Sequence, residues 1–146
     1  MPDIQGIHHL KFPVADLGRS LDWYTRVLQA ERLPKLDHKD EQGKLYGIIL
    51  DVPGLGTKLE LRLNAEDAAK QAKFDPVTLA VKDQAALHAW IAHLDEWQID
   101  HSPLLVGEVG WLLVTEDPDM RRLRFYTAEQ HGPDLKPSED QRWLGE

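Results

Sequence analysis

The side chains best suited to chemistry stand on the polar sides of three short alternating segments. In Gly6-Ile7-His8-His9-Leu10-Lys11-Phe12-Pro13-Val14, Leu10, Phe12 and Val14 share one face and leave His9 and Lys11 on the other. Residues 57–63 set Leu59, Leu61 and Leu63 against Glu60 and Arg62, and residues 122–127 set Leu123 and Phe125 against Arg122, Arg124 and Tyr126. Period two is what a half-buried strand gives, so each polar set is turned away from an apolar layer. A carboxylate such as Glu60 is a general base, and an imidazole such as His9 is a second proton-transfer group. A guanidinium such as Arg124 is made for a carboxylate, enolate or carbonyl oxygen.

The elements that must position these residues repeat. The first strand ends at Asp16, a helix N-cap, and residues 17–28 follow with apolar residues at Leu17, Leu21, Tyr24 and Leu28. At a constant offset, Leu10, Phe12, Val14, Asp16 and Trp23 correspond to Val77, Leu79, Val81, Asp83 and Trp90. The first half continues as an edge strand over 31–40 broken by Pro34, a strand over 45–52, a Pro53-Gly54-Leu55-Gly56 turn and a strand over 57–63. The second half runs from a strand at 77–81 through a helix at 84–97 and a short edge strand near 98–102. Strands at 111–116 and 122–127 complete it. An internal duplication follows: a first βαβββ module over 1–64, a linker over 65–75, a second module over 76–128 and a C-terminal tail over 129–146. The tail has no periodicity, and its Trp143-Leu144 end is expected to dock on its own domain or on a neighbouring subunit, or else to fray.

Composition narrows the function classes. A formal net charge of −8 argues against nucleic acid as a partner, because binding there depends on neutralising phosphates. No apolar run approaches the roughly 20 residues of a membrane span, and the polar start Met-Pro-Asp-Ile-Gln has no apolar core of a secretory signal. The absence of cysteine removes any disulfide framework or thiolate metal site and fits the cytoplasm.

His9-Leu10-Lys11-Phe12-Pro13-Val14-Ala15-Asp16, followed by Ser20-Leu21-Asp22-Trp23-Tyr24-Thr25-Arg26-Val27-Leu28, resembles the opening of the vicinal oxygen chelate superfamily. That superfamily holds glyoxalases, bleomycin-resistance proteins and extradiol dioxygenases. Thr57-Lys58-Leu59-Glu60-Leu61 is similar to its module-closing strand, and Asp117-Pro118-Asp119 to its Asp-Pro-Asp-Gly turn, with Met120 in the place of the glycine. The resemblance spans about residues 6–128. It implies an α+β fold of two tandem βαβββ modules forming a cupped, half-barrel sheet around the active site, and dimers are common among such proteins.

The resemblance also implies metal ligands on the first and last strands of each module. The first module keeps His9 and Glu60 for this, while the second has Pro76 and Arg124 at the corresponding positions. Two ligands are too few for a tight catalytic divalent site, so the expectation is a degenerate one with no cofactor. Arg124 is then expected in the place of the cation, opposite Glu60 and near His9. There it either binds an oxygen of a small-molecule ligand or forms a structural salt bridge with Glu60. Lys11, Arg62, Thr78, Arg122 and Tyr126 are further ligand-binding candidates, and Tyr46 and Trp111, which begin equivalent strands, would stack on a flat ligand. The function expected is small-molecule binding by a homodimer. The alternatives are a divalent-metal-dependent lyase, isomerase or dioxygenase that completes a site on His9 and Glu60, and a drug-sequestering resistance protein without catalysis. Trp23 and Trp90 are expected in the core, and Asp16 and Asp83 as caps.

Overall fold

The structure, a computed structural model, describes residues 1–145. The chain forms two compact units divided after Lys70. Both are built on a strand, a helix, edge pairing and two long strands, as the repeated apolar spacing implies, and the first adds a split edge and a short helix.

In the first unit, β1 (His9–Val14) pairs in parallel with β5 (Lys58–Leu63), which pairs antiparallel with β4 (Leu45–Asp51). β2 (Glu31–Arg32) and β3 (His38–Lys39) both pair with β4. The broken edge strand expected over 31–40 is thus two two-residue strands around a single 3-10 turn, Pro34–Leu36. Proline's fixed φ and missing N–H suit that turn and bar a continuous ladder. Helix α1 (Leu17–Leu28) begins where the Asp16 carboxylate accepts the Arg19 N–H at 2.8 Å. Its Trp23, Tyr24, Val27 and Leu28 are buried, as are Phe12, Val14, Ile48, Leu50, Leu59 and Leu61 of the sheet. The segment expected as a linker starts with a helix, α2 (Ala65–Lys70), which packs against β1 and is capped by Asn64 Oδ1 accepting from the Asp67 N–H.

In the second unit the sheet order is β6-β9-β8-β7, from β6 (Thr78–Val81), β7 (Leu105–Val106), β8 (Trp111–Glu116) and β9 (Arg122–Thr127). The edge strand lies at β7, not near 98–102, where His101 makes only an isolated bridge to Thr115. Ser102 explains the displacement. Its hydroxyl donates to the Pro103 carbonyl and accepts the Val114 N–H, so a side chain takes a place in the ladder. Helix α3 (Gln84–Glu96) is capped by Asp83 and buries Leu87 and Leu94. Trp90 stacks on Phe125 with ring centroids 4.3 Å apart. Met120 adopts φ +62°, so the turn tolerates the left-handed conformation that a glycine would take freely.

The tail docks on its own unit. Trp143 is 3% exposed and packs with Leu105, Leu112 and Val114, the residues of β7 and β8 that face away from α3. The Arg122 guanidinium, itself buried, donates to the carbonyls of Arg142, Trp143 and Gly145 at 2.5, 3.1 and 3.0 Å.

Candidate functional site

In the first unit, strand register sets the polar residues in rows on the face turned from α1. Lys11, Glu60 and Ile49 are lateral neighbours on β1, β5 and β4. In the next row Arg62 neighbours Gly47, and Gly47 neighbours His38 on β3. A Cβ on Gly47 would lie 3.3 Å from His38 Cβ and 3.4 Å from Arg62 Nε. The glycine therefore leaves the room in which both side chains lean towards Glu60.

Glu60 is 2% exposed, and its two oxygens are served differently. Oε2 accepts from Arg62 Nε at 2.8 Å, with Arg62 Nη2 at 2.7 Å and Lys11 Nζ at 4.0 Å. Oε1 faces two imidazoles, His38 Nε2 at 3.4 Å and His9 Nε2 at 4.0 Å. The His38 Nδ1 donates to the Leu36 carbonyl at 2.8 Å, which fixes its tautomer and leaves Nε2 directed at the carboxylate. Tyr46 completes the wall, with its ring edge-on to His38 at 5.9 Å and the Arg62 guanidinium 5.0 Å from its centroid. Two fixed cations against one carboxylate leave a local positive surplus in a chain whose net charge is −8.

The structure thus brings together His9, Lys11, Tyr46, Glu60 and Arg62, and adds His38, which sequence reasoning missed. His38 sits on a two-residue strand with an irregular register, where no periodicity announces its facing.

The second unit resolves its counterpart residue otherwise. Leu123 and Phe125 are buried and Arg124 lies on the opposite face, as the alternation implies, with Thr78 as its lateral neighbour on β6. The partner of Arg124 is Asp75, not Glu60. Its Nε and Nη2 reach Oδ1 and Oδ2 at 2.9 and 3.0 Å, a two-pronged pair that replaces the expected one. Asp75 escaped notice because it lies in a segment without pattern. The Tyr126 hydroxyl accepts the N–H groups of Val109 and Gly110 at 3.0 and 3.1 Å and braces that loop. Trp111, on the α3 side of β8 by alternation, meets the His131 ring edge-on at 5.5 Å. Arg122, a candidate for ligand contact, is instead the clamp on the tail.

The four positions to which the resemblance assigns metal ligands do not together fit a divalent metal. Pro76 has no ligating side-chain atom and Arg124 is a cation held by Asp75. The kept Glu60 offers one oxygen to Arg62 and Lys11, beside which a dication would pay strong repulsion. Among the described residues, no group of three or more His, Asp or Glu is arranged to hold an ion.

Comparison with known proteins agrees with this architecture. A putative ring-cleaving dioxygenase, MhqA of Bacillus subtilis (strain 168), is 29% identical over 134 residues, which are 88% of this chain. The chain spans only 42% of the length of that relative. TnmS3, an antibiotic-binding protein from Streptomyces sp. CB03234, superposes with a TM-score of 0.68 at 17% identity, covering 88% of this chain and 100% of its own. The fosfomycin-resistance protein FosX of Listeria monocytogenes, complexed with Mn(II) and 1S,2S-dihydroxypropylphosphonic acid, also gives 0.68, at 13% identity, covering 87% of this chain and 95% of its own. These two likenesses establish the fold alone. The family model for the Glyoxalase/Bleomycin resistance protein/Dioxygenase superfamily matches residues 6–125. With the repeated strand-helix-three-strand units and a model match over most of its length, the chain belongs to that superfamily.

Proposed function

We propose that this protein binds a small anionic or carbonyl-bearing molecule at Glu60 without a metal, on a degenerate version of the superfamily's site. The observation that carries the reading is the environment of Glu60. Its buried carboxylate is neutralised by Arg62 and Lys11, leaving surplus positive charge and two imidazoles at the rim. Lys11 and His9, with side chains 48% and 38% exposed, are the groups a ligand oxygen can reach. Glu60, His9 and His38 would hold and move protons, with Glu60 as base where the ligand has an acidic C–H. Tyr46 supplies an aromatic wall. That solved relatives include an antibiotic-binding protein and a phosphonate-bound one supports a small-molecule ligand. The reading extends to a homodimer in the cytoplasm, which the unpaired sheet edges and the lack of cysteine favour. No helix among the described residues is long and apolar enough to cross a membrane.

The test is elemental analysis of untagged protein after incubation with excess manganese, nickel or zinc and desalting. The expected content is far below one ion per chain in wild type. About one ion per chain, lost in both His9→Ala and His38→Ala, would overturn the reading and make this a metalloenzyme with His38 as its hidden ligand.

A further inference from the structure

The 3-10 turn Pro34–Leu36 carries the Leu36 carbonyl that fixes His38, yet nothing apolar holds that turn in place. None of its three side chains is buried, and Leu36 is 48% exposed. The ladders do not hold it either. β2 and β3 are two residues each, both pair with β4 rather than with each other, and the register shifts between His38 and Lys39. We infer that the Arg32–Asp37 pair is a positioning device for the Glu60 site: it locks the turn and thereby sets the tautomer and the aim of His38.

Three observations carry this. First, the pair closes the loop at its base. Arg32 ends β2 and Asp37 immediately precedes β3. The guanidinium grips the carboxylate with two prongs, Nε to Oδ1 at 3.1 Å and Nη2 to Oδ2 at 2.6 Å. Second, Asp37 governs the Leu36 carbonyl. A peptide unit is planar, so the Leu36 C=O and the Asp37 N–H turn together. The Asp37 N–H donates to the Pro34 carbonyl at 3.1 Å while Arg32 holds the side chain, and the Leu36 carbonyl is left to accept from His38 Nδ1 at 2.8 Å. Third, His38 depends on that carbonyl. With the proton held on Nδ1, Nε2 is the atom turned to Glu60 Oε1 at 3.4 Å. The bond at one ring nitrogen sets the state of the other, so a turn that shifts releases both the tautomer and the ring.

With the Arg32 side chain a third exposed, the pair contributes little to stability, and its leverage lies in alignment. Its role at the site rests on the reading of Glu60 as the place where a ligand binds, whereas the locking of His38 does not.

The experiment is proton–nitrogen correlation spectroscopy of the imidazole rings in the full-length protein labelled at histidine, above the ordinary imidazole range so that neutral tautomers are read, alongside urea unfolding. Wild-type His38 is expected to carry its proton on Nδ1. Arg32→Ala should lower the ratio of the Nδ1–H to the Nε2–H form about fivefold, the equivalent of one ordinary hydrogen bond, with the urea midpoint little changed. Arg32→Lys, which keeps the charge without the fork, should lower it about twofold. A ratio that stays put in Arg32→Ala would overturn the inference, and so would a wild-type ratio in Arg32→Lys. Should Arg32→Ala fail to fold, Arg32→Lys decides alone. A pyruvate titration read at the amides of Lys11, Glu60 and Arg62 tests the link to the site, and binding should weaken severalfold in Arg32→Ala. Equal binding by both proteins despite a changed tautomer would overturn the pair's role there. Pyruvate that moves none of these amides in wild type would count against the Glu60 reading, and the tautomer ratio would still decide whether the pair locks His38.

Discussion

At matching places on their closing strands the two units carry opposite charges, Glu60 on β5 and Arg124 on β9, and they neutralise them by different routes. Glu60 is answered from within its own sheet, by Arg62 two residues along the strand and by Lys11 next door. Arg124 is answered from 49 residues away, by Asp75 in the segment that leads into the second sheet. The units also differ in what lies on the sheet face turned from the helix. In the first that face carries Glu60 and its ring of donors, whereas in the second the chain's own tail lies there, with Trp143 in an apolar cluster and three carbonyls on Arg122. Duplicated modules thus share a scaffold and diverge on the surface it presents. The first has kept a polar face and the second has given much of its own to packing.

The contrast can be broken most severely at the tail. Trp143→Ala removes the buried side chain that the tail supplies to that cluster and should cost the second unit about 3–5 kcal/mol, read from denaturant unfolding followed by amide shifts. Arg122→Ala should cost about 2–3 kcal/mol, since three carbonyls lose their donor and regain it only if the tail frays into water. Limited proteolysis should then cut residues 130–145 first. If both variants leave the tail protected, the clamp is not what holds it.

Glu60→Gln is expected to be milder, about 1–2 kcal/mol in urea unfolding, because Arg62 keeps an acceptor while the charge is lost. Gly47→Ala should cost about 1 kcal/mol by pressing on His38 and Arg62, with its amide perturbations confined to the Glu60 cluster. Changes spreading far from Glu60 would contradict the reading of Gly47 as room for those two side chains.

The smallest effect separates the units by pH. In the first, the Arg32 guanidinium, hydrogen-bonded at 2.6 Å, holds the Asp37 carboxyl below its ordinary range. In the second, burial tends to lower the His101 pKa, but its bonds to the Ser102 carbonyl and the Asp95 carboxylate raise it on balance. His131 is raised by the carbonyls of Gly107 and Gly132. A depressed carboxyl contributes stability above its unfolded value that is lost as pH falls through its folded one. A raised imidazole contributes below its unfolded value and loses that as pH rises through its folded one. Amide hydrogen exchange should therefore rise first around Arg32 and Asp37 in acid, and first around His101 and His131 as pH climbs past the ordinary imidazole range. His101→Gln should abolish the alkaline change near Asp95.

Much of this was legible in the sequence because it depends on periodicity. Leu10, Phe12 and Val14, and again Leu123 and Phe125, alternate strictly, and the Asp16 and Asp83 caps mark both helix starts. The site was legible only where it lies on the longer strands, at His9, Lys11, Tyr46, Glu60 and Arg62. His38, Asp75 and the true position of β7 were not. They sit on two-residue strands or in patternless segments, where a hydroxyl such as that of Ser102 or a turn proline sets the path, and no spacing reports it. Pairing was the least legible, since two guanidinium groups on one strand face, Arg122 and Arg124, look alike in sequence. One grips the tail and the other a carboxylate.

The positive surplus at Glu60, set in a chain of net charge −8, has a kinetic consequence. At low salt an anion feels repulsion from the whole molecule before it reaches the cluster, whereas at 0.1 M salt charges farther away than about 10 Å are screened and the nearby cluster dominates. Moderate salt should therefore speed its arrival rather than slow it. Stopped-flow association rates that rise between low and physiological ionic strength, while departure quickens too, would mark a site whose local sign opposes that of its protein.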